Sequence, residues 1–184
     1  MNQHRTLRSL ILAALLGALT AIGAWLQIPV GITSITLQFL FTAFAGVLLG
    51  WKWGAVSQLL YVAIGLLGLP VFTQGGGIGY VLQPSFGFLL GLIPAAAVIG
   101  ALTARRTGYL TVLAAVLVGD LILYAVGVPY MYLILHVYMQ SAKTFPALLA
   151  AMLVYVPGDT LKIIVVTALA PVLRRTLVKA VPNL

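Results

Sequence analysis

The chain reads as an all-α integral membrane protein: one domain over residues 1–184, built as a bundle of six transmembrane helices with structured outer loops and short interfacial helices. Three observations predict this. Of the 184 residues, 62% are hydrophobic and only 7% charged, where an ordinary soluble domain carries roughly 25% charged residues. Mean hydropathy is +1.16, and apolar runs of membrane-crossing length recur along the whole chain. The basic residues lie in small groups between those runs, as membrane orientation requires. The net charge of +8 therefore does not point to nucleic acid, which is excluded as a partner. No cysteine is present, which removes disulfides, thiolate nucleophiles and Cys-based metal or iron–sulfur sites.

Residues 7–26 supply the first span, since about 20 residues at 1.5 Å rise cross a 30 Å hydrocarbon core. Arg5 and Arg8 before Leu10 onward suit the flank of a retained span rather than a secretory signal. Within the span Ala13, Gly17 and Ala21 recur every four residues, with Ala14 and Ala18 alongside. Such a smooth stripe lets another helix approach closely, either inside the bundle or on a partner protein. Pro29, Gly31 and the Thr33, Ser34, Thr36 cluster then break helical periodicity as a polar, uncharged turn.

Residues 37–50 and 53–67 read as two further spans joined by Trp51-Lys52-Trp53, an aromatic and basic cluster typical of a membrane interface. Gln38 and Gln58 stand in apolar surroundings, where an amide bonds to a neighbouring helix or faces a ligand. The stretch 68–80 is the most irregular, with consecutive Gly75, Gly76 and Gly77 among Phe72, Gln74 and Tyr80. Non-helical backbone at membrane depth must be buried in protein or line a cavity, so a folded-in loop is expected. No Gly-Lys-Ser/Thr follows and no βαβ pattern surrounds it, so no nucleotide site is expected.

Residues 84–103 form the fourth span, ending at Arg105-Arg106, and 109–126 the fifth. The fifth contains Asp120, which either joins Tyr124 in a polar interior or bonds helices together locally; the second role is the one expected. After Gly127-Val128-Pro129, the stretches 130–140 and 145–156 are too short to span and suit interfacial or re-entrant helices. His136 has no second His or carboxylate at ligand spacing, so no metal is assigned. The last span, 159–173, closes with Arg174, Arg175 and Lys179.

With the N-terminus inside, this parse places eight basic residues on inner segments (Arg5, Arg8, Lys52, Arg105, Arg106, Arg174, Arg175 and Lys179) and Lys143 alone outside. The positive-inside rule therefore sets both termini in the cytoplasm. It also gathers the Thr/Ser turn, the triple-glycine loop and the 130–156 segment on the outer side. Beneath them, one of the two acids, Asp159, stands three positions from Lys162, so that both share one helix face. Pro157 and Gly158 just before suit a helix start. Two readings stand here: a helix-start acid with a snorkelling lysine, or a functional pair holding a polar ligand.

Five motifs occur in order: Thr36-Leu37-Gln38; Gly68-Leu69-Pro70-Val71-Phe72 with Gly75-Gly76-Gly77; Gln83 to Phe88; Tyr124 to Tyr130; and Pro157 to Lys162. Together they resemble the BioY family, the biotin-specific substrate-binding S components of energy-coupling factor (ECF) transporters. Ser85 and Tyr130 stand where family members often carry Thr and Trp. The resemblance implies a six-helix bundle that binds one biotin near the outer face and has no catalytic residues, no enzymatic turnover and no cofactor. It implies a transmembrane coupling subunit and two ATPase subunits as partners, with self-association as an alternative. The small residues that would meet the coupling subunit are then Ala13, Gly17 and Ala21. On biotin, Asp159 can accept from the ureido N–H groups, and Lys162 can donate to the ureido oxygen or hold the carboxylate. Phe72, Tyr80, Tyr124 and Tyr130 would supply walls, Thr36 and Gln38 side-chain hydrogen bonds, and Gly75, Gly76 and Gly77 close backbone approach. The alternatives are an S component for another small vitamin and, from a different class, a membrane enzyme or channel. An enzyme needs a nucleophile–base pair or metal cluster and a channel needs polar residues in several spans; neither pattern is present.

Overall fold

A computed structural model describes residues 2–31 and 33–180, with side chains described for residues 6–31 and 33–179; the side chain of Arg5, assigned above to the first flank, lies outside that set. Helix α1 runs Asn2–Trp25. The turn expected around Pro29 to Thr36 is instead an antiparallel hairpin, β1 (Gln27–Val30) and β2 (Thr33–Thr36). The chain is therefore not purely α-helical. Residues 33–36 are Thr, Ser, Ile and Thr, a β-branched-rich set, and Gly31 takes φ 60° between the strands, where glycine is tolerated without strain.

Helix α2 (Gln38–Leu66) is interrupted at Gly50, whose φ of 77° and ψ of −178° are not helical. The two limbs fold back on each other. A Cβ on Gly54 would lie 3.0 Å from the Cα of Gly46, and Thr42 Oγ1 donates to Gln58 Oε1 at 2.9 Å. A loop follows, tightened by a 3-10 turn at Ile78–Leu82, before α3 (Phe86–Leu102).

Helix α4 (Tyr109–Leu133) runs past Gly127-Val128-Pro129 and continues as a π-helical turn, Ile134–Tyr138. This corrects the reading that ended a span at 126 and began a separate short helix at 130. Proline removes one backbone hydrogen bond, but a membrane helix continues through it where neighbouring segments compensate. The short α5 (Phe145–Met152) passes through a 3-10 turn, Leu153–Tyr155, into α6 (Val156–Ala180).

Among the described residues, four helical stretches are long and apolar enough to cross a membrane: Thr6–Trp25, Gln38–Leu66, Tyr109–Tyr138 and Phe145–Lys179. The 17-residue α3 is a shorter apolar helix. The main core joins α1, α2, α3, α4 and α6 through Leu16, Phe39, Tyr61, Phe86, Ile99, Val116 and Val166. A second cluster, Val128, Met131, Leu135, Leu148, Met152 and Tyr155, packs the far part of α4 against α5 and the hairpin residues Val30 and Ile35. At one end of the bundle the Gly50 turn rests on Gly100 of α3, and Arg174 Nη1 donates to the Thr103 carbonyl at 2.6 Å. The hairpin, the 68–77 loop and the start of α6 occupy the other end.

Candidate functional site

The hairpin end encloses a cavity of about 680 Å³, measured together with its open mouth. Thr33, Ser34, Ile35 and Thr36 form its roof, Gln38 and Phe39 one side, and Thr73, Tyr80 and Ser85 the loop side. Phe88, Leu89 and Leu92 of α3 and Leu123 of α4 supply apolar wall, with Met152 and Tyr155 opposite. Tyr124, Asp159 and Lys162 complete it.

The polar centre lies in the first turns of α6. Asp159 and Lys162 are only 6% and 7% exposed, and Lys162 Nζ contacts Asp159 Oδ1 at 2.6 Å. The tyrosine hydroxyl of Tyr124, on α4, donates to the other carboxylate oxygen, Oδ2. A buried ion pair persists only when the remaining donors and acceptors are satisfied. A carboxylate offers about four lone-pair sites and an ammonium three N–H donors. Among the described residues, protein groups take two of the former and one of the latter. Unspent hydrogen-bonding capacity of both signs therefore opens onto the cavity. Asp120, one turn from Tyr124 on α4, has a buried Oδ1 with no hydrogen-bond partner among the described residues.

The roof is latched rather than free. Tyr155 Oη donates to the Val30 carbonyl at 2.6 Å, and Gln27 Nε2 donates to the Thr73 carbonyl at 2.9 Å. Gly158 faces Ile35, whose Cγ2 would lie 3.0 Å from a Cβ placed there, so the hairpin sits directly on the first turn of α6.

Of the side chains singled out from the sequence, Thr36, Gln38, Tyr80, Tyr124, Asp159 and Lys162 meet around this cavity. The amide of Gln38 is already engaged: Oε1 accepts from Thr36 Oγ1 at 2.8 Å and Nε2 donates to Tyr61 Oη at 2.8 Å. Tyr61 in turn donates to the Val71 carbonyl at 3.0 Å. Phe72, Gly75, Gly76, Gly77 and Tyr130 are not among the lining residues. Phe72 is buried behind the wall, edge-on to Tyr61 at 5.5 Å and 4.6 Å from Tyr80. Its ring fills the space where Gly65 has no side chain. The glycine run lets the loop fold in: Gly77 N donates to the Gly65 carbonyl at 2.7 Å, and a Cβ on Gly76 would collide with the Leu69 carbonyl at 2.0 Å. Tyr130 donates to the Val81 carbonyl at 2.5 Å and so anchors the 3-10 turn to α4.

The sequence reading did not single out Tyr155, Met152, Ser34, Ile35, Phe88 and Leu92 as site residues. Phe88 and Leu92 stand at i, i+4 on one face of α3, a signal indistinguishable from helix packing. The small residues of α1 fall into two rows. Ala13 and Gly17 are buried, with the Ser57 carbonyl of α2 2.9 Å from where a Gly17 Cβ would be. Ala21 is half-buried, whereas Ala14 and Ala18 face outward. A helix surface has room for two such rows one position apart, and this fold turned the row through 13 and 17 inward.

The BioY family model matches residues 1–179. A probable biotin transporter BioY from Lysinibacillus sphaericus is 49% identical over 147 residues, 79% of this chain and 74% of that protein. The biotin transporter BioY of Thermotoga maritima is 34% identical over 165 residues, covering 89% and 94%. Among solved structures, the S-component for biotin from an ECF-type ABC transporter superposes with a TM-score of 0.83 at 29% identity, covering 95% of each chain. The family model and the fold match over nearly the whole length, the relatives over most of it, and the chain belongs to the BioY family.

Proposed function

We propose that this protein captures biotin at the outer face of the cytoplasmic membrane as the S component of an ECF-type transporter. The observation that carries this is the buried Asp159–Lys162 pair, which keeps unspent acceptors and donors toward an otherwise largely apolar cavity. Biotin presents the complement: a ureido group with two donors and an acceptor, an apolar thioether-containing ring, and a carboxylate on a flexible chain. Asp159, held by Tyr124, accepts from the ureido N–H groups, while Lys162 takes the ureido oxygen or the carboxylate. Phe88, Leu89, Leu92 and Leu123 cover the ring system, with Thr36, Gln38 and Tyr80 shaping the mouth.

The chain crosses the membrane six times, the two limbs of α2 counting separately, with both termini cytoplasmic. The segregation of Arg8, Lys52, Arg105, Arg106, Arg174, Arg175 and Lys179 away from the cavity end supports that orientation. No catalysis resides here. A coupling subunit and two ATPase subunits supply the energy, and the outward Ala14 and Ala18 are the small residues on α1 that offer such a partner close approach.

Calorimetry on detergent-solubilised protein tests the reading. Biotin should bind tightly and thiamine and riboflavin not at all; the reverse pattern overturns it. Biotin methyl ester separates the two lysine roles. A loss of tenfold or more assigns Lys162 to the carboxylate, and an unchanged affinity assigns it to the ureido oxygen.

A further inference from the structure

The end of the bundle opposite the cavity gathers arginines with no acidic side chain beside them among the described residues. Arg174 Nη1 and Nη2 donate to the Thr103 and Ala104 carbonyls at 2.6 and 3.5 Å. These belong to the C-terminal end of α3, where a helix leaves acceptors unpaired. The tie brings Arg174 and Arg175 of α6 to the residue that precedes Arg105 and Arg106. Arg105, Arg106 and Arg175 are exposed, and none forms an ion pair among the described residues. The chain has two acids, Asp120 and Asp159. Asp159 is about 22 Å of helix rise from Arg174, and Asp120 about 16 Å along α4 from its start. Like charges gathered at that corner favour the binding of an anion.

The surroundings say what kind of anion. Leu102, Leu110 and Leu173 flank the arginines and are exposed, Leu110 by 82%. Apolar side chains beside a guanidinium cluster at the end of membrane-spanning helices match a molecule with a phosphate head and acyl chains. We propose that Arg105, Arg106 and Arg175 form a docking site for one anionic phospholipid, the guanidinium groups holding its phosphate and Leu102, Leu110 and Leu173 its chains. Guanidinium groups bind phosphate oxygens in pairs, which an ammonium does not. Lys52, at the same end, lies 5.8 Å over the Trp53 ring and serves as a control for diffuse charge.

The test is thermal unfolding of the full-length protein in neutral detergent, followed by intrinsic fluorescence, with phosphatidylglycerol or phosphatidylcholine added at equal ratio and with sodium phosphate alone. Phosphatidylglycerol should raise the midpoint by about 5 °C, with little effect from phosphatidylcholine or phosphate. The Arg105→Gln/Arg106→Gln/Arg175→Gln variant should lose most of that rise, and Lys52→Gln should keep it. Arg106→Gln alone should lose part of it, which covers a triple variant that does not fold. Equal losses in Lys52→Gln and the arginine variants overturn the proposal, as does a rise reproduced by phosphate or phosphatidylcholine. So does a cluster that responds only to an acidic partner subunit. Biotin binding by the arginine variants should match the parent protein, which separates this site from the cavity.

Discussion

The two ends of this bundle handle charge in opposite ways. At the cavity end one acid and one base are buried, touch at 2.6 Å and are braced by a tyrosine. At the other end several arginines stand exposed, and the one that is partly buried is held by backbone carbonyls rather than by an acid. The difference follows from the cost of moving charge out of water. A buried ion without its partner costs several kcal/mol, whereas a charge at the membrane surface keeps its hydration. At Asp159 and Lys162 the interior charge has its partner built in, and a pair with capacity to spare is more than the fold itself requires.

Asp159→Asn breaks the contrast most severely. It places an amide donor against ligand N–H groups and leaves Lys162 without a counter-charge, so biotin affinity should fall by at least about 100-fold, about 3 kcal/mol. Affinity within threefold of the parent would falsify the assignment of Asp159 to the site. Gly17→Leu comes next. It forces side-chain atoms onto the Ser57 carbonyl and should cost about 2 kcal/mol of stability, read as a lowered unfolding midpoint. Ala14→Leu, facing outward, should leave the midpoint unchanged while reducing copurification of partner subunits. The opposite result would favour Ala13, Gly17 and Ala21 as the contact row.

Tyr124→Phe removes one hydrogen bond to the carboxylate, and calorimetry should show a loss of about tenfold in affinity. A wild-type affinity would mean that Asp159 holds its position without the brace. Tyr155→Phe should have the smallest effect. Losing the 2.6 Å latch to Val30 frees the hairpin, so labelled biotin should dissociate about threefold to fivefold faster. An unchanged rate would show that Gln27 and Ile35 hold the roof alone.

Much of this architecture was legible in one dimension. Span-length apolar runs, the irregularity of 68–77, the break near Trp51-Lys52-Trp53 and the juxtaposition of Asp159 with Lys162 depend on residues close in sequence. Local composition and the 3.6-residue helical repeat are enough to expose them. Pro129 misled because proline's cost is judged locally, while its tolerance depends on which segments pack around it.

What the sequence by itself determined is therefore a membrane bundle with one ionisable pair at the mouth of a polar, uncharged set of loops. Only the tertiary structure decided which atoms meet: Tyr124 against Asp159 across two helices, Phe72 and Tyr130 behind the wall rather than on it, and the 13–17 row inward with 14 and 18 outward. The physical reason is that facing is set by contacts between elements distant in the chain. A helix with apolar residues all around carries no pattern that tells one side from another.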